Sequence, residues 1–497
     1  MAVPARTLPL LLVCLLGGPL AAQDRSRMAE FAALQEAVQQ AIDRAEPSIA
    51  CILVSRSEGY GAFGAAPSGA PGQLGPFHAP GLGFGFAPDP RLRQKVLSLD
   101  LSNPDCVPES YGSGVVIDEE KGLVLTQAHV VNKATKVYVR LPGGRGSWAD
   151  IHASDPRSDL AVLRLLDPPA GLRALRIGDG SKLRKGTFVL ALANPYAAGG
   201  RDGSPSASWG IVSNVRRRAP GMTSDLQGSD RTRVTIHHFG TLIQTDVRLH
   251  PGCSGGALLN LDGELVGLTT AIAALSGAET PGGFAVPMDS GIRRIVDVLR
   301  RGEEVEYGFL GVYLPPASYP GAGAKLSDVA PESPAARGGL LPRDVIMSIN
   351  GIRVHESDDL FLYVGTQLAG NTVQIEVLRG SERLTRSVKL AKYGVAGTPI
   401  ASNRPRPRAG LRVDYTSVMA QNLGRGIPLG VLVRDVESNS PAERARLQPD
   451  TVITRVNGQT VLTPAEFYER MDRSRGPIRL SYLSSNGAEV SVTLDTR

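Results

Sequence analysis

Phe31, Leu34, Val38 and Ile42 recur at helical spacing ahead of Pro47, which predicts an amphipathic helix over residues 28–45 with its apolar stripe packed inward. Residues 49–54 read as a strand. From Gly59 to Pro90 the chain is rich in Gly, Pro, Ala and Phe without a period, the pattern of a long loop. Its Gly81-Leu82-Gly83-Phe84-Gly85-Phe86 run lacks the entering strand and leaving helix of a phosphate-binding glycine loop. Between Gly112 and Met288 the pattern becomes a series of short β-rich runs at 115–117, 123–126, 137–139, 160–163, 188–190, 234–236, 258–259 and 265–268. Short strands separated by turn residues favour an all-β barrel or sandwich over βαβ units. A helix over 290–301 closes this region.

The remainder repeats itself. Ser333-Pro334-Ala335 returns as Ser440-Pro441-Ala442, Val345-Ile346 as Val452-Ile453, and Asn350-Gly351 as Asn457-Gly458, always at an offset of 107. Two homologous modules therefore follow the β-rich region. Between them, residues 394–408 alternate Arg and Pro after a Gly-containing stretch, which reads as an exposed, semi-extended linker.

The length of 497 residues allows about three domains with real cores. With 42% hydrophobic and 21% charged residues the chain is not a disordered one. The formal charge of +6 is thinly spread, and its dense tracts, Arg216-Arg217-Arg218 and the arginines at 404, 406 and 408, have few aromatic neighbours in a chain with 5% aromatics. A nucleic-acid footprint needs a clustered basic face with stacking or base-reading side chains, so no nucleic-acid partner is expected.

Arg6 precedes an apolar run over 8–16, then Gly17-Gly18-Pro19 and the small-residue stretch Leu20-Ala21-Ala22-Gln23. The run is shorter than the ~20 residues of a membrane span, and the pattern is that of a secretory signal with cleavage near Ala22. An exported, periplasmic product follows, tethered to the membrane only if the signal is retained. Cys14 leaves with the signal, so Cys51, Cys106 and Cys253 remain. Their spacing fits no zinc pattern, and a Cys51–Cys106 disulfide is permitted but not fixed by sequence. His237 and His238 form no metal pattern with neighbouring Cys or carboxylates and default to the surface; no metal and no cofactor are expected.

Three contexts in the β-rich region belong together. Thr126-Gln127-Ala128-His129 ends a strand, Ser158-Asp159-Leu160 opens one, and Pro251-Gly252-Cys253-Ser254-Gly255-Gly256 makes a sharp turn. A serine hydroxyl becomes a nucleophile when a base takes its proton and an acid fixes the tautomer of that base. His129, Asp159 and Ser254 supply those roles. The turn over Gly252, Cys253 and Ser254 is the candidate oxyanion hole, with the N–H groups of Gly252 and Ser254 aimed at the developing charge. Cys253 raises a thiol alternative, but the nucleophile of this pattern immediately precedes the Gly-Gly pair, and that residue is Ser254.

On these residues, together with Gly112-Ser113-Gly114, Gln244-Thr245-Asp246 and Gly283-Phe284-Ala285-Val286-Pro287, the chain resembles the HtrA/DegP family of trypsin-like serine endopeptidases. The resemblance implies a mainly β fold: a chymotrypsin-like double β-barrel protease domain over 112–303, after a signal over 1–22 and an N-terminal segment over 23–111. PDZ domains then follow over 304–393 and 409–497, joined by the 394–408 linker. It implies a trimer or multiple of trimers degrading unfolded or misfolded exported proteins without ATP. The family has Asn where this chain has His250 and Cys253, and the 196–208 and 216–241 loops look long. The uncharged wall Leu268, Thr269, Thr270, Ala271 and Ile272, with Arg248 six residues before Ser254, implies a small or medium apolar side chain next to the cut bond. Phe309-Leu310-Gly311-Val312 and Gly410-Leu411-Arg412-Val413 match the loop that binds peptide C-termini, with Arg412 replacing a small or apolar residue. The other functional class is a PDZ-based chaperone or scaffold whose protease domain is latent.

Overall fold

The computed structural model describes residues 19–56, 100–106, 108–218, 235–270, 282–315, 323–395, 397–419, 427–484 and 487–495. The apolar run over 8–16 expected to be a signal, the 59–90 stretch expected to be a loop, most of residues 216–241, Val234, Ala271 and Ile272 lie outside the described residues. A helix, Pro19–Ala45, extends the expected one toward the N-terminus. Its C-terminal half packs, with Ala41 and Ala45 fully buried and Val38 and Ile42 beside them, whereas Phe31 is 70% exposed.

Twelve strands build two barrels: β1 Ile49–Ser55, β2 Ser110–Asp118, β3 Leu123–Gln127, β4 Lys136–Arg140, β5 Gly146–Asp155 and β6 Leu160–Leu165, then β7 Phe188–Ala193, β8 Ser206–Arg217, β9 Leu242–Thr245, β10 Ala257–Leu259, β11 Leu265–Thr270 and β12 Gly283–Pro287. The first sheet runs β5-β4-β1-β2-β3-β6 and closes through β5–β6 pairing, and the second closes in the order β10-β11-β12-β9-β8-β7. β1 lies between β2 and β4, so the first barrel takes in residues well ahead of position 112. Residues 235 and 236, expected in a strand, meet a 3-10 turn, Ile236–Phe239, instead.

Alternation along the strands divides the core three ways. Ile52, Val116, Val124 and Leu163 fill the first barrel, and Val189, Val212, Leu258 and Ala285 the second. The opposite-facing Val115, Leu125, Leu192 and Leu268 meet between the barrels, joined by Ile295 and Leu299 of the helix Ser290–Arg300. Asp289 caps that helix by accepting the Ile292 N–H at 2.9 Å.

Each repeat is a small sheet with two helices and its own core. The first places Ser357–Gly365 over its sheet, and the second places Pro464–Arg473 in the equivalent position. The segment between them is largely exposed, and part of it is bonded to the first barrel. Ile400 and Ala401 pair with Ser154 and Ala153 of β5, the Ser402 hydroxyl lies 2.8 Å from His152 Nδ1, and the Asn403 N–H donates to Gly302 O at 2.8 Å. An edge strand on the first barrel satisfies backbone groups that a free linker would leave to water.

Candidate active site

β3 ends where a four-residue helix, Ala128–Val131, begins, and this presents His129 with its side chain 31% exposed. Asp159 grips it twice, accepting the His129 N–H at 2.9 Å and facing His129 Nδ1 at 2.6 Å. A carboxylate only accepts, so Nδ1 carries the proton and Nε2 presents its lone pair outward. Burial pulls the imidazolium down, and the charge and hydrogen bond of Asp159 outweigh it, leaving His129 raised above its ordinary value. Asp159 itself has φ 54°, a left-handed conformation that persists only where neighbours over-determine it.

The loop bearing Ser254 is braced by Ser113 of β2. The Ser113 N–H donates to Ser254 O at 2.8 Å and its hydroxyl to Gly252 O at 2.7 Å, while Ser113 O accepts the Thr126 hydroxyl at 2.8 Å, three residues before His129. Ser113 thus joins the serine loop to the histidine strand across the two barrels, a role that sequence spacing does not announce. Ser254 is 5% exposed.

The peptide planes of the turn are set by what their carbonyls accept. Pro251 O takes the Tyr196 N–H at 2.7 Å, and Cys253 O takes the Gly256 N–H at 3.0 Å and the Thr269 hydroxyl at 2.6 Å. In a trans peptide the N–H points opposite to the carbonyl, so the N–H groups of Gly252 and Ser254 are turned away from those partners. The Cys253 N–H is committed to His250 O at 3.0 Å, which separates it from that pair. Gly252 has φ 95°, and a Cβ there would sit 2.5 Å from Asn194 O, so the turn requires glycine. The Cys253 thiol is buried and burial raises its pKa, which keeps it protonated and poorly nucleophilic.

Leu268, Thr269 and Thr270 are buried on β11, but the Thr269 hydroxyl is spent on the serine loop. Arg248 is exposed. Cys51, Cys106 and Cys253 are all free thiols, and Cys51 and Cys106 border one apolar cluster with Leu53, Leu101 and Tyr138. Burial pushes Cys51 up to about 12. Sequence reasoning places His237 at the surface; the structure buries it completely. Its Nε2 donates to Ser158 O at 2.9 Å, and its Nδ1 lies 2.8 Å from the Thr241 hydroxyl.

In the first repeat, Gly311 has φ 79° and a Cβ there would meet Ser333 Cβ at 2.3 Å; in the second, Gly410 has φ 86° and meets Ser440 Cβ at 2.1 Å. Ser333 and Ser440 both cap short helices, and Val312 pairs with Val329 as Leu411 pairs with Val436. The counterpart of Phe309-Leu310-Gly311-Val312 is therefore Arg408-Ala409-Gly410-Leu411, two residues ahead of Gly410-Leu411-Arg412-Val413. That second loop is closed on itself. The Leu411 N–H donates to Arg408 O at 2.9 Å, the Val413 N–H donates to the Tyr468 phenol oxygen at 3.2 Å, and the Arg408 guanidinium pairs with Asp472. Tyr468 and Asp472 stand on the overlying helix, where the first repeat has Phe361 and Gly365.

Two closed six-stranded barrels, with an Asp-held histidine at the end of β3 and a glycine-rich serine turn braced by Ser113 of the neighbouring β2, define a trypsin-like peptidase. The family model of the trypsin-like peptidase domain matches residues 112–268, and that of the PDZ domain matches residues 308–390. The chain is 31% identical over 386 residues to the periplasmic serine endoprotease DegP of Salmonella typhimurium, covering 75% of this chain and 74% of that protein. It is 32% identical over 407 residues to the periplasmic pH-dependent serine endoprotease DegQ of Escherichia coli, covering 80% and 83%. A solved structure of the HtrA-type protease AlgW with tripeptide is similar over 74% of this chain and 98% of that one, at 25% identity and a TM-score of 0.48. The chain belongs to the HtrA/DegP family of serine endoproteases, with a PDZ domain after its protease domain.

Proposed function

We propose that Ser254 is the nucleophile, His129 the general base and Asp159 the residue that orients it. Ser254 Oγ attacks the peptide carbonyl carbon as its proton passes to His129 Nε2. The N–H groups of Gly252 and Ser254 receive the oxyanion, and His129 returns the proton to the departing amine. Water, deprotonated by the same imidazole, then cleaves the acyl-serine ester. The observation that carries this reading is the double grip of Asp159 on His129, with Ser113 tying the serine loop to the same strand pair.

Leu268 and Thr270 are assigned to the wall of an apolar specificity pocket. Substrates are unfolded or misfolded proteins in an exported compartment, cleaved without ATP; the N-terminal apolar run and the periplasmic relatives support export. No helix among the described residues is long and apolar enough to cross a membrane. The family resemblance supports a trimer or a multiple of trimers. Chain-end capture is assigned to Phe309, Leu310, Gly311 and Val312 of the first module. The second repeat is read as a PDZ fold whose loop is internally satisfied.

The test is degradation of unfolded casein by the wild type and by Ser254→Ala, with and without a peptide ending in an apolar residue. Cleavage by the wild type alone, accelerated by the peptide, is expected. Casein bound but uncleaved under both conditions would favour the chaperone or scaffold reading.

A further inference from the structure

The turn that carries Asp159 is held by a residue from outside the two barrels. Asp155, at the end of β5 and 2% exposed, accepts the Ser158 N–H at 2.8 Å, the Ser158 hydroxyl at 2.5 Å and the Arg157 N–H at 3.4 Å. A further donor is the phenol of Tyr307, which lies on the connection from the helix Ser290–Arg300 to the PDZ domain and is fully buried. The Tyr307 backbone is anchored in that domain: its carbonyl accepts the Tyr393 N–H at 2.8 Å, and Arg157 lies over both rings, 5.0 Å from the Tyr307 centroid and 3.9 Å from that of Tyr393. From the other side, His237 donates to Ser158 O, and Phe239 of the same 3-10 turn stacks on Phe361 of the PDZ helix at 5.2 Å. The N–H, hydroxyl and carbonyl of Ser158 are thus all committed, and the next residue is the left-handed Asp159.

We propose that Tyr307 is a positioning residue for the Asp159–His129 pair, so that the connection into the PDZ domain completes the support of Asp159. This rests on the assignment of Asp159 above. A fully buried carboxylate needs its donors, since each one missing leaves it less able to stay charged and to hold Ser158. Without the phenol the 155–158 turn has one restraint fewer against the strained φ of Asp159. Asp159 must keep two oxygens on two different groups of His129, and small displacements at that geometry are costly, ~10² in rate per ångström.

Tyr307→Phe keeps the ring and the arginine stacking and removes the hydroxyl alone. The experiment measures kcat and KM on a peptide substrate per titrated active site, and kcat/KM across the imidazole range, for wild type, Tyr307→Phe, Asp155→Asn and Asp159→Asn in the full chain. Asp159 and Arg56 act electrostatically on His129, and His237 interacts with both His129 and Asp159, while the Tyr307 phenol and the Arg157 N–H donate to Asp155. For Tyr307→Phe, kcat per titrated site should fall about tenfold with KM unchanged. The acid limb should move to lower pH, because a loosened Asp159 raises His129 less. Asp155→Asn should shift both in the same direction. Unchanged kcat and pH limb, or a loss confined to the titratable fraction, would overturn the proposal. Full turnover by Asp159→Asn would remove the triad assignment itself, and this inference with it.

Discussion

At the scale of single residues, the chemistry turns on which groups are still uncommitted once the loops are built. Asp159 uses both carboxylate oxygens on His129, which leaves Nε2 as the basic face. The raised pKa of His129 sets the sign of the pH response. The proposed mechanism needs the neutral imidazole, so kcat/KM should fall with decreasing pH at a pH above that of an ordinary imidazole, and Asp159→Asn should both depress the rate and lower that limb. In stability terms the same shift favours the folded state below the unfolded pKa, and that contribution is lost as pH rises through the folded one. Cys253 is buried, protonated and one residue early. Cys253→Ala should keep most of the turnover, whereas Ser254→Ala should lose ~10⁶. Equal losses in both variants would contradict this division.

At the scale of elements, the serine turn takes its shape because β2 holds two of its carbonyls, Gly252 O and Ser254 O, while the 194–196 segment and β11 hold one each. Gly252→Ala would press a Cβ against Asn194 O and Tyr196 N, so kcat on a peptide substrate should fall by ~10²–10³, as for a lost oxyanion donor. Wild-type turnover in that variant would mean that the turn does not form the hole. The His, Asp and Ser contexts are legible in sequence because each needs particular residue types at a strand edge. Ser113, Asp155 and His237 are not, because serine, aspartate and histidine are common and the telling partner of each lies far along the chain in a turn or connection: Gly252 and Ser254 for Ser113, Tyr307 for Asp155 and Ser158 for His237. The second peptide loop shows the limit most clearly. Gly-Leu-Arg-Val imitates Phe-Leu-Gly-Val locally, but the positive φ at Gly410 and its fit over Ser440 fix a different register. Closure of that loop also predicts where peptides go. A photoreactive chain-end peptide should label only the first module in the wild type and both modules in Tyr468→Phe combined with Asp472→Asn. Labelling of both in the wild type would refute the closed loop.

At the scale of the whole molecule, the modules are built into the protease rather than strung behind it. Lys392 is 5% exposed and lies 2.7 Å from Glu304, 3.0 Å from Asp414 and 3.4 Å from Glu306, joining the exit of the protease domain, the end of the first module and the start of the second. Burial alone would lower its pKa, and the three carboxylates hold it raised instead. Truncating it leaves the buried Asp414 with only the longer 3.6 Å contact to Arg434 and the Tyr415 N–H, although Glu304 and Glu306 keep partial contact with water. Lys392→Ala should therefore cost about 2–3 kcal/mol, read as a lower unfolding midpoint in denaturant. An unchanged midpoint would show that the junction carries no stability. The Arg-Pro stretch reads as linker because composition reports stiffness and exposure, but not the edge of β5 that residues 400–401 find.

The central claim is that this fold presents one activated serine. Its most direct test is to treat the full chain with a fluorophosphonate and locate the adduct by mass spectrometry, with His129→Ala alongside. A single adduct on Ser254 in the wild type, abolished in His129→Ala, is the expected result. Modification of Cys253, or of Ser254 equally in both proteins, would contradict it.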